Sequence, residues 1–309
     1  MDFSVLLGKM LIFSALMLLG YLFARKGLVD KSFARSASML VMSVFLPATI
    51  LHSVFVTESA PGAGELFKLL GLVTLTMLVG YLIAVLAVRL LPLGKDPQRS
   101  AVFELLIALS NNMFIGMPVA QSLFGPEAVF YCALSCIPFN LYAYTYGVWR
   151  LRGGGKGGLR VKDIISVPLL ATVAAVLVFF FRLPVPGLVR ELAAALNGAT
   201  MPMSLLVIGF SMGSVSLTDA FRNRPLYLAS LLRLLIAPLL VWFLIGLFTG
   251  DPVLRTTCLL LAASPSGVMV SVFAIQYKRD SLFAAEGVMQ STVLSMLTIP
   301  LLLLISGGV

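Results

Sequence analysis

A chain of 309 residues that is 60% apolar, only 11% charged and formally +9 in net charge is neither an ordinary soluble domain, which needs a charged surface, nor a disordered segment, which lacks apolar residues. The positive balance would point to nucleic acid in a soluble protein. Here it sits in short loops between apolar runs, so the expected environment is a lipid bilayer and no nucleic-acid partner is expected.

Ten stretches reach the roughly 20 predominantly apolar residues that a spanning helix needs: 3–24, 34–56, 66–91, 101–123, 127–149, 163–182, 189–214, 226–249, 253–276 and 282–306. They use most of the chain and leave no soluble domain to carry a separate activity. The first is longer than a signal-peptide core, lacks a basic leader and a small-residue cleavage site, and is expected to be retained. The second contains Pro47 and, toward its far end, the single histidine, His52. The fourth is interrupted by SNNMFIGMP, Ser110 to Pro118. The fifth holds Cys132 and Cys136 one turn apart; with Cys258 in the ninth they read as packing residues, and the count gives no disulfide framework. The seventh carries Pro202 and the small residues Gly209, Ser211, Gly213 and Ser214, which are expected to offer a low-relief surface for sliding. The ninth is interrupted by AASPSGVMVS, Ala262 to Ser271.

Arg25, Lys26, Lys31 and Arg35 follow the first stretch, and Arg89, Lys95 and Arg99 the third. Arg150, Arg152, Lys156, Arg160 and Lys162 follow the fifth, Arg222 and Arg224 the seventh, Lys278 and Arg279 the ninth. Every second loop is therefore basic, while the others mix Lys68, Arg182, Arg190 and Arg255 with Glu58, Glu65, Glu191 and Asp251. Basic loops stay cytoplasmic, which puts both termini outside the cytoplasm.

The Gly-rich, charged linker RLRGGGKGGLR, Arg150 to Arg160, falls at the midpoint with five apolar stretches on each side. An odd number per half makes the second half enter from the opposite face. The chain thus reads as an all-α polytopic membrane protein of two inverted five-helix repeats, residues 1–150 and 163–309, joined by a cytoplasmic linker at 151–162. Pro47 and Pro202, and likewise Pro118 and Pro265, are separated by close to half the chain.

An unsatisfied backbone group is costly in hydrocarbon, so helices broken at membrane depth survive where they line a cavity or a binding site. Each break frees N–H and C=O groups, and the half-helix that restarts beyond it presents the positive end of its dipole. Around Gly116 to Pro118 and Pro265 to Gly267 two such ends would converge among uncharged hydrogen-bonding side chains: Ser110, Asn111, Asn112, Ser264, Ser266 and Ser271. That set suits a carboxylate held by amides and helix ends. The competing picture, two proline kinks packed by small residues, gives two adjacent asparagines at membrane depth nothing to do.

The stretches Asn111-x-x-x-x-Gly116-x-Pro118 and Ala263-x-Pro265-x-Gly267-x-x-x-x-Val272-Phe273-Ala274-x-x-Tyr277 resemble the fourth and ninth helices of the auxin efflux carrier family, which includes plant PIN-type carriers and bacterial carboxylate permeases. Phe45-x-Pro47 with His52, and the run Gly209 to Gly213, match it further. The resemblance implies a bile-acid-symporter-like fold. Helices one, two, six and seven would form a scaffold, helices three to five and eight to ten a moving transport domain, and transport would be similar to an elevator with substrate where helices four and nine cross. Asn111 matches the family's crossover asparagine, and Pro118 and Pro265 its crossover prolines. With Asn112, Gly116, Ser264, Ser266 and Gly267 they form the expected substrate site. The short central linker resembles that of bacterial members, which implies the inner membrane, and a homodimer through the scaffold helices is the expected assembly.

Arg233 lies roughly 12 Å inside the eighth stretch at 1.5 Å per residue. It either snorkels to the cytoplasmic surface or contacts the anion or a carboxylate. Arg233, Glu104, Glu286 and Gln290 are candidates for coupling to an ion or to the anion, with H+ or Na+ as the coupling ion, although both glutamates also lie near the basic loops as surface partners. No cofactor and no metal site is expected. The preferred reading is a secondary transporter for a small organic anion, a mono- or dicarboxylate such as malonate or malate, or an auxin-like acid. The alternative is an intramembrane enzyme, which would need a serine near the breaks within reach of His52 as base. No Walker A motif and no Gly-x-Ser-x-Gly elbow occurs in the sequence.

Overall fold

The computed structural model describes residues 3–56, 63–90, 97–153, 165–213 and 215–307, and these fold into helices with no strand among them. In chain order α1 is Phe3–Arg25, α2 residues 31–55, α3 Ala63–Leu90, α4 Pro97–Ala108 and α5 residues 112–124. Then come α6, Pro126–Leu151, α7, Val167–Phe181, α8, Gly187–Met212, and α9, Leu217–Arg222. The last are α10, Arg224–Gly246, α11, Pro252–Ala263, α12, Met269–Gln276, and α13, Ser281–Ile305. Most of the expected linker, together with Glu58, Lys95, Lys156, Arg160, Lys162 and Ser214, lies outside the described residues.

Among the described residues six helical stretches can, by length and composition, cross a membrane: Ser32–Phe55, Gly64–Leu90, α6, α8, α10 and α13. Leu11–Arg25 of α1, α7 and α11 are shorter apolar helices. Leu18, Leu78, Leu82, Phe181, Phe243 and Leu297 point outward and are exposed. An exterior so apolar is a solvation mismatch in water and a match in hydrocarbon, so this is a polytopic membrane protein.

Local chemistry explains three of the four places where the described helices widen, the exception being Ala143–Gly147. Among the described residues three wide i→i+5 turns begin six residues ahead of a proline: Val41–Phe45 before Pro47, Asn112–Gly116 before Pro118, and Leu232–Ile236 before Pro238. Proline brings no N–H, and its ring would strike the carbonyl four residues earlier. Widening the turn moves that carbonyl aside while the helix continues, and it rotates the side chains that follow.

α8 lies along α1 on one side and α2 on the other, and α2 also meets α7. The two proline-bearing helices are joined by Thr49 Oγ1, which donates to Thr200 Oγ1 at 2.7 Å. The α1–α8 contact is a seam of backbone on backbone: a Cβ on Gly209 would stand 2.2 Å from Met17 O, one on Gly20 2.3 Å from Leu206 O, and one on Gly213 2.3 Å from Ala24 Cβ. This corrects the expectation of a sliding surface along Gly209 and Gly213. Their missing side chains close a fixed seam, as small residues do between membrane helices, while Ser211 on another face lines a cavity.

α3, α4, α10, α11 and α13 pack together as a second group. At one end of the molecule the elements flanked by basic loops meet: Arg99 Nε pairs with Asp280 Oδ2 at 2.7 Å, Arg279 Nε donates to Leu151 O at 2.6 Å, and Arg152 lies over the Tyr277 ring. At the other end Lys9 Nζ donates to Ser122 O, and Gln121 Nε2 to Asn197 Oδ1 at 2.6 Å. Those two contacts tie α1 and α8 to the tip of α5.

Candidate functional site: the crossing of two broken helices

The fourth and ninth apolar stretches are each divided, and the two breaks touch. Asn111 N–H donates to Pro265 O at 2.8 Å and Gly267 N–H to Leu109 O at 2.7 Å, an antiparallel bridge between Ser110 and Ser266. Each break thus supplies a donor and an acceptor that the other lacks, which is how irregular backbone is tolerated away from water. Ser266 N–H donates to Ser291 Oγ at 3.1 Å, and Ser266 Oγ to Leu106 O at 2.6 Å. Beyond the bridge α5 and α12 restart, so their N-terminal ends begin beside it while α4 and α11 end there.

The approach is close enough that a side chain at either glycine would make a neighbour shift. A Cβ on Gly116 would lie 2.7 Å from Ser264 Oγ, and one on Gly267 3.3 Å from Ser110 O. Pro118 follows the wide turn at the start of α5, and Pro265 contributes the carbonyl that receives Asn111. The structure therefore brings Asn111, Asn112, Gly116, Pro118, Ser264, Pro265, Ser266 and Gly267 into one neighbourhood.

Three polar atoms in it are buried without a hydrogen-bond partner among the described residues: Ser110 Oγ, Asn111 Nδ2 and Asn112 Oδ1. Asn111 is 4% exposed. Asn112 Nδ2 makes only long contacts, 3.5 Å to Met77 Sδ and 3.5 Å to Ser135 Oγ. Leaving such a group unpaired costs about 1–3 kcal/mol. An acceptor that takes the Asn111 N–H groups and sits against two helix N-termini answers that cost at Asn111, and a carboxylate is such an acceptor; the Asn112 carbonyl oxygen needs a donor instead.

Arg233 does not snorkel. The wide turn Leu232–Ile236 turns it inward, where it is 2% exposed and donates to Ser264 O at 2.9 Å, Leu261 O at 3.1 Å and Ile107 O at 3.2 Å. These carbonyls belong to the terminal turns of α11 and α4. Its expected role toward an anion would have to act through them.

Glu104, Glu286 and Gln290 are each bound within the protein nearer the basic-loop end. Glu104 receives Arg150 Nε and Tyr146 OH, both at 2.7 Å. Glu286 receives Asn223 Nδ2 at 2.7 Å, and Gln290 receives Ser230 Oγ and donates to Ala220 O. His52 sits on α2, while two of the crossing's serines use their hydroxyls on backbone: Ser264 on Leu260 O and Ser266 on Leu106 O.

Sequence reasoning passed over Ser135 and the pair Tyr81 and Tyr142, whose rings stack at 3.6 Å with both hydroxyls unpaired and buried. Ser135 interrupts α6 three residues before Pro138, and that Ser-x-x-Pro spacing in an apolar run was the available signal.

A cavity of about 290 Å³ opens between α8, α12 and α13 on the basic-loop side, lined by Ser211, Met212, Val268, Ser271, Ser281 and Met289 among others. It reaches the crossing at Val268, next to Gly267.

A family model described as membrane transport protein matches residues 5–161 and 159–303, nearly the whole chain. An uncharacterized transporter of Methanocaldococcus jannaschii is 27% identical over 299 residues, which cover 94% of this chain and 96% of its own. An uncharacterized transporter of Methanothermobacter thermautotrophicus is 25% identical over 290 residues, 93% of each chain. These names point to membrane transport rather than to catalysis.

Proposed function

The chain belongs to this membrane transport protein family, that of the auxin efflux carriers, and from that premise we propose that it is a secondary transporter for a small organic anion bound at the crossing. The class is a mono- or dicarboxylate such as malonate or malate, or an auxin-like acid. The observation that carries the reading is the buried amide of Asn111, whose Nδ2 has no partner among the described residues and lies where two broken helices restart. An anion there accepts from Asn111 and is stabilised by both helix ends.

Ten spans in two inverted repeats, 1–150 and 163–309, place the basic loops in the cytoplasm and both termini outside, in a bacterial inner membrane. α1, α2, α7 and α8 act as scaffold, with a homodimer formed through it. The other helices carry the crossing across as an elevator, with H+ or Na+ as candidate coupling ions. The cavity beside Val268 gives access from the basic-loop side, while the Lys9 and Asn197 contacts hold the opposite end of α5.

The test is thermal stability of the purified protein against a panel of small carboxylates, since a ligand stabilises the state it binds. A binding acid should raise the melting temperature, and Asn111→Ala should weaken it by roughly 10- to 100-fold, the loss of one charge-assisted hydrogen bond. Affinity unchanged in that variant would remove Asn111 from the site.

A further inference from the structure

A buried guanidinium is stable in a low-dielectric interior only against compensating negative charge. Arg233 has none from a carboxylate: among the described residues the ion pairs are Arg99–Asp280 and Arg150–Glu104. Its three donors instead reach Ser264 O, Leu261 O and Ile107 O, carbonyls contributed by two different helices. Both helices stop there, at Ala263 and Ala108, so their last carbonyls have no intrahelical donor. A helix C-terminus carries about half a negative charge, and two such ends together balance one cation.

Three carbonyl oxygens converging on one positive charge are also the kind of donor set that a hard metal cation takes. The guanidinium fills it with a planar fork, Nε and both terminal nitrogens each reaching a different carbonyl, which an ammonium cannot imitate from a single point. α3 leaves room for the fork by having no side chain at Gly80, where a Cβ would stand 3.3 Å from Nη1. The proline at 238 and the wide turn before it aim the side chain there.

We propose that Arg233 is a built-in cation of the crossing: its guanidinium occupies a three-carbonyl site that would otherwise accept a monovalent metal ion, and so makes anion binding beside it independent of sodium, which leaves H+ of the two candidate coupling ions. The anion part rests on the transport reading above; the cation part belongs to the protein alone.

The experiment compares the melting temperature of purified native protein, Arg233→Ala and Arg233→Met in equimolar sodium, potassium and choline chloride, and with added methylguanidinium. The native protein should melt at one temperature in all three salts, and its shift with a binding carboxylate should not depend on sodium. Arg233→Ala should melt lower in choline and recover in a saturable way with sodium or methylguanidinium. Arg233→Met fills the space without charge and should not respond. Equal melting of Arg233→Ala under every condition would make the arginine a plain strut and overturn the proposal. Sodium-dependent carboxylate binding by the native protein would overturn it even if Arg233→Ala does not fold. A native protein with no shift for any carboxylate, beside a cation-responsive Arg233→Ala, would instead reject the anion reading and leave the built-in cation standing.

Discussion

Gly116→Ala tests whether the crossing is as tight as the structure has it. The added Cβ would stand 2.7 Å from Ser264 Oγ and 3.8 Å from Leu261 Cδ2, the first far inside the roughly 3.5 Å at which non-bonded atoms rest. Two ways out exist. Ser264 can rotate, giving up its 2.8 Å bond to Leu260 O, at a cost of about 1 kcal/mol. Otherwise α5 and α11 separate and stretch the bridge between Asn111 and Pro265, the overpacking case at about 1–3 kcal/mol. The expected loss is therefore about 1–3 kcal/mol. Ser264→Ala removes the obstructing atom, and Leu260 O keeps the Ser264 backbone N–H at 2.9 Å, so alone it should cost less than about 1 kcal/mol. The double variant should regain at least half of what Gly116→Ala loses, a coupling that a double-mutant cycle reads directly. Unfolding in mixed detergent micelles, followed by the fluorescence of Trp149 and Trp242, supplies the free energies. Native stability in Gly116→Ala, or no rescue by Ser264→Ala, would refute the reasoning.

The buried carboxylate of Glu104 predicts that Arg150→Met destabilises the protein by about 2–4 kcal/mol, somewhat below a fully buried pair because the arginine side chain is 24% exposed. Glu104→Gln should cost less, since it leaves no uncompensated buried charge; the same denaturation assay checks the order, and the reverse order would refute the argument from an uncompensated charge. For orientation, Thr218→Cys in the exposed α9 and Gly250→Cys before α11 lie at opposite ends, while the three native cysteines are buried. An impermeant maleimide on intact cells should label Gly250→Cys and reach Thr218→Cys only after permeabilisation; the opposite pattern inverts the topology.

The sequence alone determined the membrane environment, the family and the places where the chain breaks. Those properties are local: apolar runs of spanning length, and Asn111, Gly116, Pro118, Pro265 and Gly267 standing inside two of them, where proline removes a donor and amides cannot be left in hydrocarbon. The alternation of basic loops was equally readable, because charge near a helix end acts without reference to the rest of the fold. The tertiary structure decided what the breaks are paired with. The bridge joins residues on opposite halves of the chain, and nothing near Asn111 in sequence reveals that Pro265 accepts its N–H. Arg233 read as a side chain either on its way to the surface or in contact with an anion or a carboxylate; it goes inward, onto carbonyls, because the wide turn before Pro238 aims it and because two helices, remote in sequence, end where it arrives. Gly209 and Gly213 read as a smooth sliding face, yet the partner that needs their missing side chains is α1, at the other end of the chain. A side chain's type is written in the sequence, but its electrostatic and steric role depends on backbone ends brought to it by folding.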